Sequence, residues 1–176
     1  MVDLNRLRQE AERAIREAFP VGDAPSAAEM RIDHCPECEE TVARFTGKLW
    51  SEVVAGDLAG NPHAGFLTAS GFRYYLPAMM LLSMEVPDKI DCFPDGVIGV
   101  LSPKGTSLGE KDEERLRFTV AQARSIVAFL RFFELREKLD WSAPDWPDEA
   151  ILAVPTARPL ERALEFWSSR TSEGAA

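Results

Sequence analysis

The densest group of chemically competent side chains in this chain is one run of five residues: His34, Cys35, Pro36, Glu37 and Cys38. A Cys-x-x-Cys pair at a helix start puts two thiols about one turn apart, a spacing at which zinc takes two thiolates. Zinc asks for four ligands, or three and a water. His34 or His63, with Cys92, would complete such a set, although the second half of a zinc-finger pattern is missing. The candidate metal ligands are therefore His34, Cys35 and Cys38, and zinc is the candidate cofactor. A redox reading is also open, because a helix N-terminus lowers the pKa of a thiol. Thioredoxin-type chemistry would expect strands alternating with helices around the pair, and that pattern is absent. The plainest reading is two small, half-buried cysteines opening a helix. Three cysteines are an odd number without framework spacing, which points to thiols or a metal rather than disulfides.

Other chemistry is harder to assemble. The chain has no Gly-rich phosphate loop, no HExxH, no nucleophile elbow and no calcium loop. Glu39 and Glu40 are adjacent and so point to different sides of a helix. No residue is nominated as catalytic. Phe72, Tyr74, Tyr75, Met79 and Met80 make an aromatic and Met-rich stretch that reads as core rather than as a ligand pocket. Trp141 and Trp146 stand in a Pro- and Asp-rich loop and are the candidate interface residues, since tryptophan is enriched at binding hot spots. Packing of both against the last helix is the favoured reading of the sequence.

These residues need elements to position them. Leu4, Leu7, Ala11, Ile15 and Ala18 recur at helical spacing, with Asp3 as a cap and Pro20 beyond the end. Residues 21–33 read as a connection. Pro36 suits the first position of a helix running to about Phe45. Leu49 to Val54 suggests a short helix or turn, and Gly56, Gly60, Asn61 and Pro62 mark a loop. Thr68 can cap the greasiest segment, ASGFRYYLPAMMLLSME, which is apolar nearly all round and belongs at the centre of the fold. Pro77 either kinks that helix or starts a second one. Val97 to Leu101 reads as a small strand that could pair with Arg115 to Phe118, across a glycine-rich, charged and mobile stretch from Lys104 to Glu114. Thr119 and Gln122 form a capping box ahead of a stripe of Val120, Ala123, Val127, Leu130 and Phe133. Glu134 and Lys138 pair one turn apart on that helix. Pro147 can start a short helix, and Pro159 opens a final one with Leu160, Ala163, Leu164 and Trp167 on one face. The expected fold is mainly α. It is a single-domain bundle of five or six short helices around a central apolar helix, with at most one small β-hairpin, over residues 1–170. Residues 171–176 are a frayed tail.

With 176 residues, 45% of them hydrophobic and 28% charged, the chain can bury a core without disulfides or metal. A net charge of -9 argues against nucleic acid and against an anionic membrane surface as partners. The N-terminus is charged and amphipathic, with no apolar signal region, and the longest greasy stretch is far short of a bilayer span. Cytoplasmic localisation follows as the expectation.

The run LTASGFRYYLPAMML, followed by Phe118-Thr119, Gln122 and the Ile126–Leu130 segment, resembles the signature of a bacterial family of unknown function. Gly47, Lys48 and Trp50 also match an upstream Gly-Lys-x-Trp of that family. The resemblance covers roughly residues 30 to 135 and leaves the last helix outside. It implies a fold and no activity. From the acidic surplus and the lack of a catalytic set, the expected function is non-enzymatic. The chain would be a binding or regulatory protein, for example an inhibitor or immunity-type partner of a more basic bacterial protein. The alternative is a small zinc protein built on the His-Cys-x-x-Cys cluster.

Overall fold

The computed structural model describes residues 3–32, 36–59, 64–90, 92–103, 110–143 and 145–172. Ten α-helices run through these residues: α1 (Leu4–Ala18), α2 (Ala27–Met30), α3 (Pro36–Phe45), α4 (Ala55–Leu58), α5 (Ala69–Glu85), α6 (Phe93–Leu101), α7 (Glu110–Arg115), α8 (Val120–Asp140), α9 (Asp148–Leu152) and α10 (Arg158–Ser172). Single 3-10 turns lie at Trp50–Glu52, Ala64–Phe66 and Pro87–Lys89. Among the described residues there is no strand, only an isolated antiparallel bridge between Arg31 and Leu67. The chain is mainly α. It forms two compact units, the first made of Met1–Ala18 with Thr119–Ala176 and the second of Phe19–Phe118.

In the first unit α8 packs against both α1 and α10, and α9 rests on it. The caps act as the sequence predicts. The Arg6 amide donates to Asp3 Oδ1 at 3.0 Å. Thr119 and Gln122 close a reciprocal capping box, the Gln122 amide reaching Thr119 Oγ1 at 3.2 Å and the Thr119 amide reaching Gln122 Oε1 at 3.0 Å. Such a cap typically contributes about 1 kcal/mol. Ala11 and Ile15 of α1 are buried, and so are Ile126, Phe129, Leu130 and Phe133 of α8. The stripe expected on α10 is buried as a set: Leu160, Ala163, Leu164 and Trp167.

In the second unit α5 is the central element, packed by α2, α6 and α7. Thr68 caps it, its Oγ1 accepting from the Gly71 amide at 3.2 Å, and the helix continues through Pro77. Eleven of its 17 residues are buried, which is what an all-round apolar helix requires. Tyr75 is fully buried, its hydroxyl 2.8 Å from the carbonyls of both Phe45 and Lys48.

Two local expectations are corrected here. Residues 97–101 are not a strand but the end of α6. Val97, Ile98 and Leu101 are buried at i, i+1 and i+4, a helical stripe, and Pro94 sits in the first turn where no amide is needed. Residues 110–114 are not loop either; they belong to α7, while 104–109 lie outside the described residues. The connection at 21–33 also contains α2, started by a capping box between Ser26 and Glu29.

Candidate functional site

The strongest surface feature lies in the first unit, where α8 ends and the chain turns into α9. Trp141 occupies the C-terminal cap of α8 and has 71% of its surface in solvent; Trp146 has 44%. Leu152, the last residue of α9, has 55%. The backbone holding them is tied down. The Trp141 amide donates to the Glu137 carbonyl at 3.2 Å, the Ser142 hydroxyl to the Leu139 carbonyl at 3.0 Å, and the Trp146 amide to the Ala143 carbonyl at 3.1 Å. Ile151 is buried and anchors α9. Lys138 Nζ donates to the Leu152 carbonyl at 3.1 Å, and Glu137 Oε1 accepts from the Ala157 amide at 2.9 Å. Two large aromatic side chains thus reach water from a segment whose backbone is hydrogen-bonded on both sides.

The segment that carries the two tryptophans is acidic, although Asp140 pairs with Arg136 at 4.0 Å. Between Lys138 and Arg158 the sequence carries Asp140, Asp145, Asp148 and Glu149 and no Lys or Arg. Leu152 also lines a cleft of about 360 Å³ with Asp3, Arg6, Leu7, Arg131, Glu134, Leu135 and Lys138. Within it Glu134 accepts from Arg131 Nη1 at 2.6 Å and from Lys138 Nζ at 3.1 Å. Burial pushes the Glu134 carboxyl up, but the bonds and charges of Arg131 and Lys138 outweigh it and hold the group below its usual value.

The cysteine cluster presents a different picture. His34, Cys35 and His63 lie outside the described residues. Cys38 is buried in the first turn of α3 and is disulfide-bonded, whereas Cys92 is exposed and lies outside any disulfide. The preference for thiols or a metal over disulfides is corrected at Cys38. An odd number of cysteines excludes complete pairing, but it leaves room for one bond and one thiol. Among the described residues no three His, Cys, Asp or Glu side chains are grouped to hold a metal ion.

A protein-family model spans almost the whole chain, matching residues 8–171. The chain belongs to the family of unknown function DUF6714. The match reaches well beyond the 30–135 stretch that carries the sequence resemblance, and it takes in the Trp141–Leu152 surface and most of α10. No curated protein and no solved structure matches this chain. No described helix is long and apolar enough to cross a membrane.

Sequence reasoning singled out Trp141 and Trp146 and missed Leu152. A single Leu at the end of a five-residue helix offers no periodicity from which to tell its outward face. The run of acids between the two Trp positions and α10 was the available signal.

Proposed function

We propose that this chain is a non-enzymatic binding or regulatory protein of the cytoplasm that docks a basic protein partner through Trp141 and Trp146. An inhibitor or immunity-type role in a bacterial cell fits that reading. The observation that carries it is the pair of exposed tryptophans held on a hydrogen-bonded turn whose only charges are acidic. An exposed aromatic anchor beside acidic side chains is an arrangement that gives a protein interface affinity and steering. With a net charge of -9 the chain repels nucleic acid and favours a cationic partner.

Quantitative capture from the native host's extract tests this, comparing the wild type with Trp141→Ala/Trp146→Ala. The reading expects a protein of basic pI, enriched by the wild type, released by salt and lost with the double variant. An identical set of captured proteins from both, or none from either, removes it.

The rival proposal is a zinc protein using His34, Cys35 and Cys38. Because Cys38 is disulfide-bonded, zinc would bind only after reduction supplies the thiolate. Elemental analysis of protein purified under reducing conditions decides it, with one zinc per chain expected and none in Cys35→Ser/Cys38→Ser. Absence of metal from the reduced wild type sinks the proposal.

A further inference from the structure

Three features of the segment from Trp141 to Leu152 together select one kind of side chain on a partner. The first is unused ring surface. Guanidinium groups of this chain lie over rings elsewhere: Arg170 is 4.3 Å from the centroid of Phe166 and 6.0 Å from that of Trp167, Arg136 is 6.0 Å from Phe133, and Arg115 is 5.9 Å from Phe72. Among the described residues neither Trp141 nor Trp146 has a cation over its ring, although both indoles are exposed. Indole is the best of the aromatic faces for a cation.

The second feature is unpaired negative charge. Asp145 and Glu149 stand on either side of Trp146 in the sequence, are exposed, and make no ion pair among the described residues. The cations nearest along the chain are engaged elsewhere. Arg136 lies over the Phe133 ring and pairs with Asp140 at 4.0 Å. Lys138 donates to Glu134 and to the Leu152 carbonyl, both at 3.1 Å. Arg158, exposed at the start of α10, makes no ion pair among the described residues. Pro144, the segment's one residue outside the described set, carries no charge.

The third is the helix end. Trp141 caps α8, and the aligned peptide dipoles of its 21 residues leave partial negative charge at this terminus. All three features call for a positive charge, and the ring surface decides which. A guanidinium is planar and weakly hydrated, so it lies flat on an indole while its edge bonds a carboxylate. An ammonium is compact and strongly hydrated, and gives up more on leaving water.

We propose that the partner is held through arginine side chains, stacked on Trp141 and Trp146 with their charge met by Asp145 and Glu149. This rests on the docking reading given above and narrows it from a basic partner to an arginine-bearing segment of one.

The test uses two end-capped peptides of equal charge, Arg-Gly-Arg-Gly-Arg and Lys-Gly-Lys-Gly-Lys, titrated against the full chain at low salt and followed by the indole N–H signals in NMR. The arginine peptide is expected to bind at least about fivefold more tightly, with its shifts centred on the Trp141 and Trp146 indoles. Trp141→Leu/Trp146→Leu keeps apolar bulk but removes the ring faces, and should erase the preference. Asp145→Asn/Glu149→Gln should weaken both peptides. All four side chains are exposed, so the fold tolerates these changes. Equal or tighter binding of the lysine peptide, a preference that survives in the leucine variant, or no shift of either indole up to about 10 mM arginine peptide would each overturn the inference. The docking reading fails separately. It stands if the two peptides bind equally while a captured partner is still lost in Trp141→Ala/Trp146→Ala, and it falls if that capture comparison shows no difference.

Discussion

Trp167 and Trp141 belong to the same unit, yet one is completely enclosed and the other has 71% of its surface in water. The difference lies in position rather than in residue type. Trp167 falls on the α10 stripe with Leu160, Ala163 and Leu164, so the helix period carries it into the core. Trp141 falls at the end of α8 and Trp146 in a turn between helices, where no period directs a side chain inward. A large apolar side chain left exposed forgoes about 1.5–3 kcal/mol of burial. Two of them in one short acidic segment are hard to account for by stability and simple to account for by a partner.

The contrast can be broken at its buried end first. Trp167→Ala empties a fully enclosed site and is expected to cost about 3–5 kcal/mol, read as a large fall in the calorimetric Tm. A small effect would mean that α10 is not the packed element described. Tyr75→Phe probes a buried aromatic whose value lies in its hydroxyl. Burial pushes that phenol up to about 12, so it stays protonated and donates throughout the working pH range. Its removal takes a partner from the carbonyls of Phe45 and Lys48, at a cost of about 1–3 kcal/mol in denaturant unfolding.

A third prediction separates charge from packing beside the exposed surface. Glu134 sits below its usual value of 4.5 in the folded protein. Its stabilising contribution is therefore complete above that pH and is lost as pH falls through the lower folded value. Glu134→Gln should make the unfolding midpoint less sensitive to pH below about 4.5 than in the wild type. Equal pH profiles would show that the pairs with Arg131 and Lys138 contribute nothing measurable.

The smallest expected effect is at the exposed end. Trp141→Ala and Trp146→Ala should each change stability by no more than about 0.5 kcal/mol. Acrylamide should quench the emission of these two readily while sparing that of Trp50 and Trp167, which are buried. Uniform quenching, or a large loss of stability in either variant, would erase the difference between the two kinds of tryptophan.

The helices with long apolar periods could be read from the sequence, together with their caps: α1, α5, α8 and α10, with Asp3, Thr68 and Thr119. What escaped was short. In α6 the pattern Val97-Ile98-x-x-Leu101 is both a five-residue, mostly apolar run and one helical face, and a window that brief does not separate period 2 from period 3.6. The Ser26–Glu29 box was present as Ser-x-x-Glu, but its helix has four residues and almost no apolar face to announce it. At the surface, Trp141 and Trp146 were identifiable by type, whereas their exposure was not, because the sequence favoured packing against α10.

The central claim is that the two exposed tryptophans hold a basic partner. Isothermal titration of the partner recovered by capture, purified and added to wild type and to Trp141→Ala/Trp146→Ala, tests it most directly. The account predicts that the double variant, with its melting curve unchanged, loses at least about 2 kcal/mol of binding, roughly thirtyfold in Kd. It also predicts that wild-type affinity falls as salt is raised. Equal Kd values for the two proteins would contradict it.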